Sequence, residues 1–376
     1  MARRAREHRE SDGEGAGILP SQAIGELIGA GAVAADTPFD DDQAQPASLD
    51  LRLGEAAYRV RASFLPGAGT RVTDKVTRLG MHRIDLGRGA VLERGCVYIV
   101  PLMERLSLPP GLSGFANPKS STGRLDIFTR LITDGAAEFD RIAPGYTGPL
   151  YAEIAPRTFS VVVRAGSRLN QLRLRRGARA ARVGALRRLH ARVPLVDAIG
   201  GPVAMRADAL AVTLDLAGDP VTGLVGYRAK PHADVIDVDA RDHYDPLDFW
   251  DPIPARPGRG IVLNPDDFYI LCTKETVTVP PDHAAEMVAY DTLVGEFRVH
   301  YAGFFDPGFG YGEGGASKAV LEVRSHDVPF MLEHEQIIGW LRYERLTAVP
   351  DRLYGAGIGS TYQGQALALA KQFRRG

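Results

Sequence analysis

The sequence predicts a mainly β protein built as two similar domains in tandem. Three observations lead there. The 42 glycines and 25 prolines are spread along the 376 residues and separate short β-branched runs, the pattern of many strands joined by tight turns in a sandwich or barrel. Clear helical periodicity is confined to a few short stretches. One stretch of pattern also returns after an offset of roughly 170 residues, too long for a solenoid unit and about right for a repeated domain.

Taken in order, residues 1–16 form a charged segment whose interleaved Glu and Asp argue against a signal or transit peptide, and it is expected to be a disordered tail. Ser21 to Ala32 reads as an amphipathic first helix capped by Ser21. The first copy spans 17–177. Within it Val91, Leu92, Tyr98 and Ile99 match Val262, Leu263, Tyr269 and Ile270 in register. Without a gap, the strand pattern ending at Pro109-Pro110 then matches the one ending at Pro280-Pro281, since proline cannot donate to a strand ladder. Ser48 to Leu51 pairs with Thr213 to Leu216, Pro144-Gly145-Tyr146 with Pro307-Gly308-Phe309, and Leu172 to Arg176 with Leu341 to Arg345. Residues 178–205, rich in Ala and Arg and then Gly, read as a linker with a short helix; Arg179, Arg182, Arg187 and Arg188 fit a solvated face there better than a nucleic-acid contact. The second copy spans 206–376, and Gly364 to Phe373 is expected to be a short last helix.

Composition narrows the function. With 45 Lys+Arg against 46 Asp+Glu, the formal charge of −1 offers no global field for a nucleic-acid polymer or an acidic membrane. No run approaches the roughly 20 apolar residues of a membrane span. Cys96 and Cys272 are the only cysteines, which excludes a disulfide framework or a Cys-rich zinc site and fits a reducing cytoplasm. His283, His300, His326 and His334 lack compact ligand spacing. Gly355, Gly357 and Gly359 follow no strand–helix unit, so they read as a mobile tail rather than a dinucleotide loop.

Two motifs carry chemistry. Lys119-Ser120-Ser121-Thr122-Gly123-Arg124 supplies a cation at each end and several hydroxyls, suited to charge-assisted hydrogen bonds to phosphate, although the same residues also make a polar turn after Asn117-Pro118. Glu153 and Glu322 each stand in an apolar strand context. Burial there raises a carboxyl's pKa and makes it a usable general acid/base; a solvent-facing strand position is the alternative.

In this order the motifs resemble those of the dCTP deaminases and, more distantly, the dUTPases. Gln45 to Gly54 resembles the family's opening strand, Lys119 to Arg124 its phosphate-binding Ser-Ser segment, and Ile142 to Glu153 the hairpin leading to its deaminase glutamate. Tyr362-Gln363-Gly364-Gln365 looks like the nucleotide-covering tail of dCTP deaminases. The resemblance implies two dUTPase-like β-barrel or distorted jelly-roll domains. It implies hydrolytic deamination of dCTP to dUTP, with Glu153 or Glu322 as general acid/base, Ser120 and Arg124 orienting water and phosphate, and Lys119, Ser121, Asp306, Tyr362, Gln363 and Gln365 binding substrate. Deaminases that use zinc need a Cys-x-x-Cys pair that this sequence lacks; the resembling family works without zinc, and Mg²⁺ arrives on the substrate triphosphate. The copies divide the motifs: Tyr290-Asp291-Thr292 stands where the first has Lys119-Ser120-Ser121, and Ala143 where the second has Asp306. Composite sites are therefore expected, in a homo-oligomer with threefold or pseudo-threefold domains. Two alternatives stay open: a dUTPase or bifunctional enzyme, which would need Asp306, and a non-catalytic nucleotide-binding assembly protein.

Overall fold

A computed structural model describes residues 15–178, 184–197, 203–206, 208–289, 297–300, 303–312, 315–325, 327–355 and 362–375. Most of the charged tail, parts of the expected linker, the Tyr290 to Gly295 stretch, His326, Gly357 and Gly359 lie outside these residues.

The described chain has far more strand than helix, and its two halves repeat one topology. In the first half one sheet runs Arg141–Ile142, Leu112–Pro118, Arg168–Arg176, Ser48–Arg52, Ala44–Gln45. The second runs Ile127–Thr133, Thr147–Pro156, Val97–Ser107, Ala56–Val60, Gly80–Asp85. In the second half Phe304–Phe305, His283–Ala289, Ile337–Arg345, Ala209–Thr213 and Met205–Arg206 follow the first order. Phe297–His300, Ser317–Ser325, Phe268–Val277, Leu224–Ala229 and Trp250–Pro254 follow the second. The matched tyrosines do the same work: the hydroxyl of Tyr98 accepts from the Glu93 amide at 3.0 Å, and that of Tyr269 from the Asn264 amide at 3.1 Å.

Each half buries its inward-facing aliphatic residues, Leu49, Leu51 and Val100 in one and Leu210, Leu271 and Leu341 in the other. Each such side chain contributes roughly 1.5–3 kcal/mol. The first core does not stop at the domain boundary. It continues through Phe159 into Phe249, Trp250, Phe268 and Phe373 of the second half, with edge-on ring contacts at 5.4–5.9 Å. Ile236–Asp237 adds a parallel strand to Val161–Val163, joining the halves by backbone pairing. A forked pair of Arg175 with Glu344, at 2.6 and 2.7 Å, and a buried pair of Arg324 with Asp126 reinforce the joint.

Two helix expectations are corrected. The first helix is Ser21–Gly29 with Pro20 as its cap; Ser21 is inside it, and its hydroxyl turns to the Gln22 side chain. Gly364 to Phe373 is not helical. Its carbonyls are taken by distant partners: Gln365 accepts from the Lys318 amide, Ala368 and Leu369 from Arg124, and Lys371 from the Asp242 amide. A helix would use those carbonyls internally. The linker helix is Ala185–Arg192, with Leu189 buried and Arg187 and Arg188 exposed. Short helices also form at Val72–Leu79 and at Pro246–Phe249, the second capped by the Asp245 side chain with Pro246 at its start.

Candidate active site

Pro118 ends the strand Leu112–Pro118, and the chain turns at once into the single helical turn Ser120–Gly123. The turn is fixed from the neighbouring strand: the Lys119 amide and the Thr122 hydroxyl both donate to the Leu169 carbonyl, at 2.8 and 3.0 Å. This sets Lys119, Ser120, Ser121 and Arg124 along one wall of a cavity of about 380 Å³. The opposite wall comes from the second half: Phe304, Asp306, Glu322, Tyr362 and Gln365. Motifs that sequence placed in separate copies therefore meet within one chain.

Glu322 sits mid-strand in Ser317–Ser325, opposite Ile270. It is 6 % exposed. Burial pushes its carboxyl up to about 8, against the pull of Arg124 and with a small push from Asp126. Glu153 occupies the equivalent position in the first half, opposite Ile99. It does not line the cavity. Its carboxylate accepts from Arg130 Nε at 3.0 Å and Nη2 at 2.5 Å, and that guanidinium is stacked on Phe139 at 3.5 Å.

Arg124 is the hub between wall and tail. Its guanidinium lies 3.8 Å from the Tyr362 ring centre and donates to Gln365 Oε1 at 3.0 Å and to the Ala368 and Leu369 carbonyls at 3.1 and 3.3 Å. Asp306 is held by the buried Arg173 at 3.0 Å; burial raises its carboxyl while Arg173 pulls the other way. Gln363 points elsewhere, its amide bridging Gly308 and Gly310 of the neighbouring hairpin. Lys119 is paired with Asp50.

The cavity also holds residues not singled out from sequence: Asp42, Asp50, Arg168, Asp239, Arg241 and Lys371. Asp50 had a signal, since it lies in the repeated Ser48 to Leu51 segment. The others belong to no repeated motif. Among the described residues no group of three or more His, Cys, Asp or Glu side chains is arranged to hold a metal. His283 pairs with Asp282, and His334 Nδ1 accepts from the Leu216 amide. Among the described residues no helix is long and apolar enough to cross a membrane.

Comparison with known proteins gives the family. Residues 15–178 match the "2'-deoxycytidine 5'-triphosphate deaminase (DCD) N-terminal domain" and residues 183–373 the corresponding C-terminal domain. A crystal structure of 2'-deoxycytidine 5'-triphosphate deaminase from Agrobacterium tumefaciens is 57% identical, superimposes with a TM-score of 0.83, and covers 88% of this chain and 99% of its own. A Beutenbergia cavernae protein named "dCTP deaminase, dUMP-forming" is 38% identical over 117 residues, 30% of this chain and 58% of that protein, so the chain spans less than two thirds of it. A Halorubrum lacusprofundi protein named "dCTP deaminase" is 32% identical over 161 residues, 42% of this chain and 73% of its own length. On these matches, the chain belongs to the 2'-deoxycytidine 5'-triphosphate deaminase family.

Proposed function

We propose that this chain hydrolyses dCTP to dUTP and ammonia at a composite site, with Glu322 as the general acid/base. The observation that carries this is the desolvated Glu322 carboxyl, raised to about 8, facing Lys119, Ser120, Ser121 and Arg124 across one cavity. The Glu322 carboxyl, in its ionised form, takes a proton from water as the oxygen attacks C4 and passes it to N3; that form is the minor one below about pH 8. A second proton, from the hydroxyl left on C4, reaches the amino group, the C–N bond breaks, and ammonia leaves with a carbonyl at C4. A carboxyl poised near neutrality suits both directions of transfer. Ser120 and Ser121 present hydroxyls to water and phosphate, and Arg124 holds the tail segment against Glu322.

The cavity's aspartates are each matched by a cation, Asp42 by Arg168, Asp50 by Lys119, Asp239 by Arg164 and Asp306 by Arg173. These four aspartates are therefore engaged by the chain's own cations. In this reading Mg²⁺ enters on the triphosphate as part of the substrate, and zinc takes no part. Asp306, which dUTP cleavage would require, is engaged by Arg173, so deamination without cleavage is the reading adopted. We place the enzyme in the cytoplasm as a homo-oligomer with pseudo-threefold domains, and read the repeated topology as a tandem duplication. Incubating the purified protein with dCTP and Mg²⁺ is expected to release ammonia and dUTP in equal amounts. Unchanged dCTP, or dUMP as the main product, contradicts this reading.

A further inference from the structure

We propose that Arg241 and Lys371, both outside the repeated motifs, form the receptor for the outer phosphates of the nucleotide and set the preference for triphosphate over monophosphate. This rests on the reading of the same cavity as a nucleotide site.

Both residues reach the cavity from one latch. Arg241 follows the strand Ile236–Asp237 that joins the first half's sheet. Arg164 holds that segment, with both guanidinium nitrogens on Asp237 at 2.8 Å and one on Asp239 at 2.9 Å, while the Ser167 hydroxyl donates to Asp239 at 2.6 Å. Lys371 stands between Ala370 and Gln372, which are 2 % and 1 % exposed. The Gln372 carbonyl accepts from the His243 and Tyr244 amides, its side chain donates to the Val238 carbonyl at 2.6 Å, and Phe373 is packed among Tyr244, Phe249 and Trp250. The two cations are thus set by a built scaffold.

Charge decides what they are for. The cavity's aspartates are already matched, and Arg124 is occupied by the tail. Arg241 and Lys371 line the same cavity, and neither makes a side-chain hydrogen bond or ion pair among the described residues. Burial, with Arg241 and Lys119 nearby, holds the Lys371 ammonium below its ordinary range. Two like charges beside a cavity, with Asp239 and Asp50 near Lys371 but bonded elsewhere, favour a multiply charged anion. Phosphate oxygens are the natural counter-charge for an Arg and a Lys placed together. The outer phosphates supply that charge; a monophosphate held at the Ser-Ser segment gains little from it.

The test uses the full chain and two readouts. Deamination of dCTP, dCDP and dCMP is compared in wild type, Arg241→Gln and Lys371→Gln, with Lys371→Arg as the charge-retaining control. Binding of inorganic tripolyphosphate is measured by calorimetry on the same proteins. Each Gln variant is expected to raise KM for dCTP roughly tenfold or more, as losing one charged hydrogen bond implies. The dCMP value should not change, tripolyphosphate affinity should fall in parallel, and Lys371→Arg should restore both. Arg241 is exposed, so its replacement tests the idea even where Lys371→Gln fails to fold. Equal losses for dCTP and dCMP, or unchanged tripolyphosphate binding, overturn the proposal. A wild type that binds tripolyphosphate through these residues yet deaminates nothing rejects the proposed reaction while upholding the subsite.

Discussion

Glu153 and Glu322 hold the same place in two copies of one topology, and their surroundings make them different groups. Their strand neighbours differ: Glu153 lies across from Arg130, Glu322 across from His300. Arg130 closes on Glu153 with two hydrogen bonds, and Phe64, Val76, Leu79 and Phe139 pack the adjoining face. Among the described residues Glu322 has no such paired cation; Arg124 acts on it only at a distance, and its carboxyl faces a cavity walled in part by the other half. One position thus yields a structural ion pair in one copy and a raised carboxyl in the other. Sequence equivalence fixes where a carboxylate sits, while its cross-strand and cross-domain neighbours fix what it does.

Breaking the two carboxylates separately has the largest expected effect. Glu322→Gln should lower the deamination rate by about 10²–10⁴ with the fold intact, the range for a lost general acid/base. Glu153→Gln should leave the rate nearly unchanged and cost about 3 kcal/mol of stability in urea unfolding, because Arg130 loses a buried partner. The opposite pattern would exchange their roles.

A smaller effect sharpens the electrostatic side of the contrast. Native Glu322 keeps its proton to about pH 8, whereas the unfolded chain releases it near 4.5. Its contribution is therefore fully present below pH 4.5 and lost as pH rises through 8. Stability should fall over that window in wild type, and Glu322→Gln should flatten the decline. Asp140, which burial raises to about 7, lies near Glu153 and Arg130. Any slope that remains in Glu322→Gln should diminish further in Glu322→Gln/Asp140→Asn. An unchanged urea-midpoint profile in Glu322→Gln would place the Glu322 carboxyl in water.

The smallest effect concerns the tail. Tyr362→Leu removes the ring beneath Arg124, an interaction of about 0.5–2 kcal/mol, and should raise KM for dCTP several-fold with little change in kcat. A kcat loss as large as that of Glu322→Gln would make the ring part of the chemistry.

Much of this was legible in the sequence. The repeat predicted two like halves because strands of one topology need the same alternation, the same double-proline stops and the same Tyr98 and Tyr269 contacts. Dividing the motifs pointed to composite sites, without saying whether the meeting walls belong to one chain or to neighbouring chains. The choice of glutamate was not legible, because Leu-Tyr-Ala-Glu-Ile and Val-Leu-Glu-Val are alike locally and the deciding partner, Arg130, lies 23 residues from Glu153. Nor was the shape of the tail: Gly364 to Phe373 has acceptable helical spacing, but partners from both halves claim its carbonyls. Arg241 and Lys371 were silent for the same reason, since their meeting depends on a strand from the second half joining a sheet of the first.

The central claim is that one chain completes the site from its own two halves. Its most direct test is complementation between two disabled chains: Ser120→Ala/Arg124→Ala, damaged in the first wall, and Glu322→Gln, damaged in the second. Co-expressed and purified together through different tags, they should release no more ammonia from dCTP than either alone, because no chain carries both intact walls. Recovery of activity in the mixed assembly would contradict the account and place the two walls on different chains.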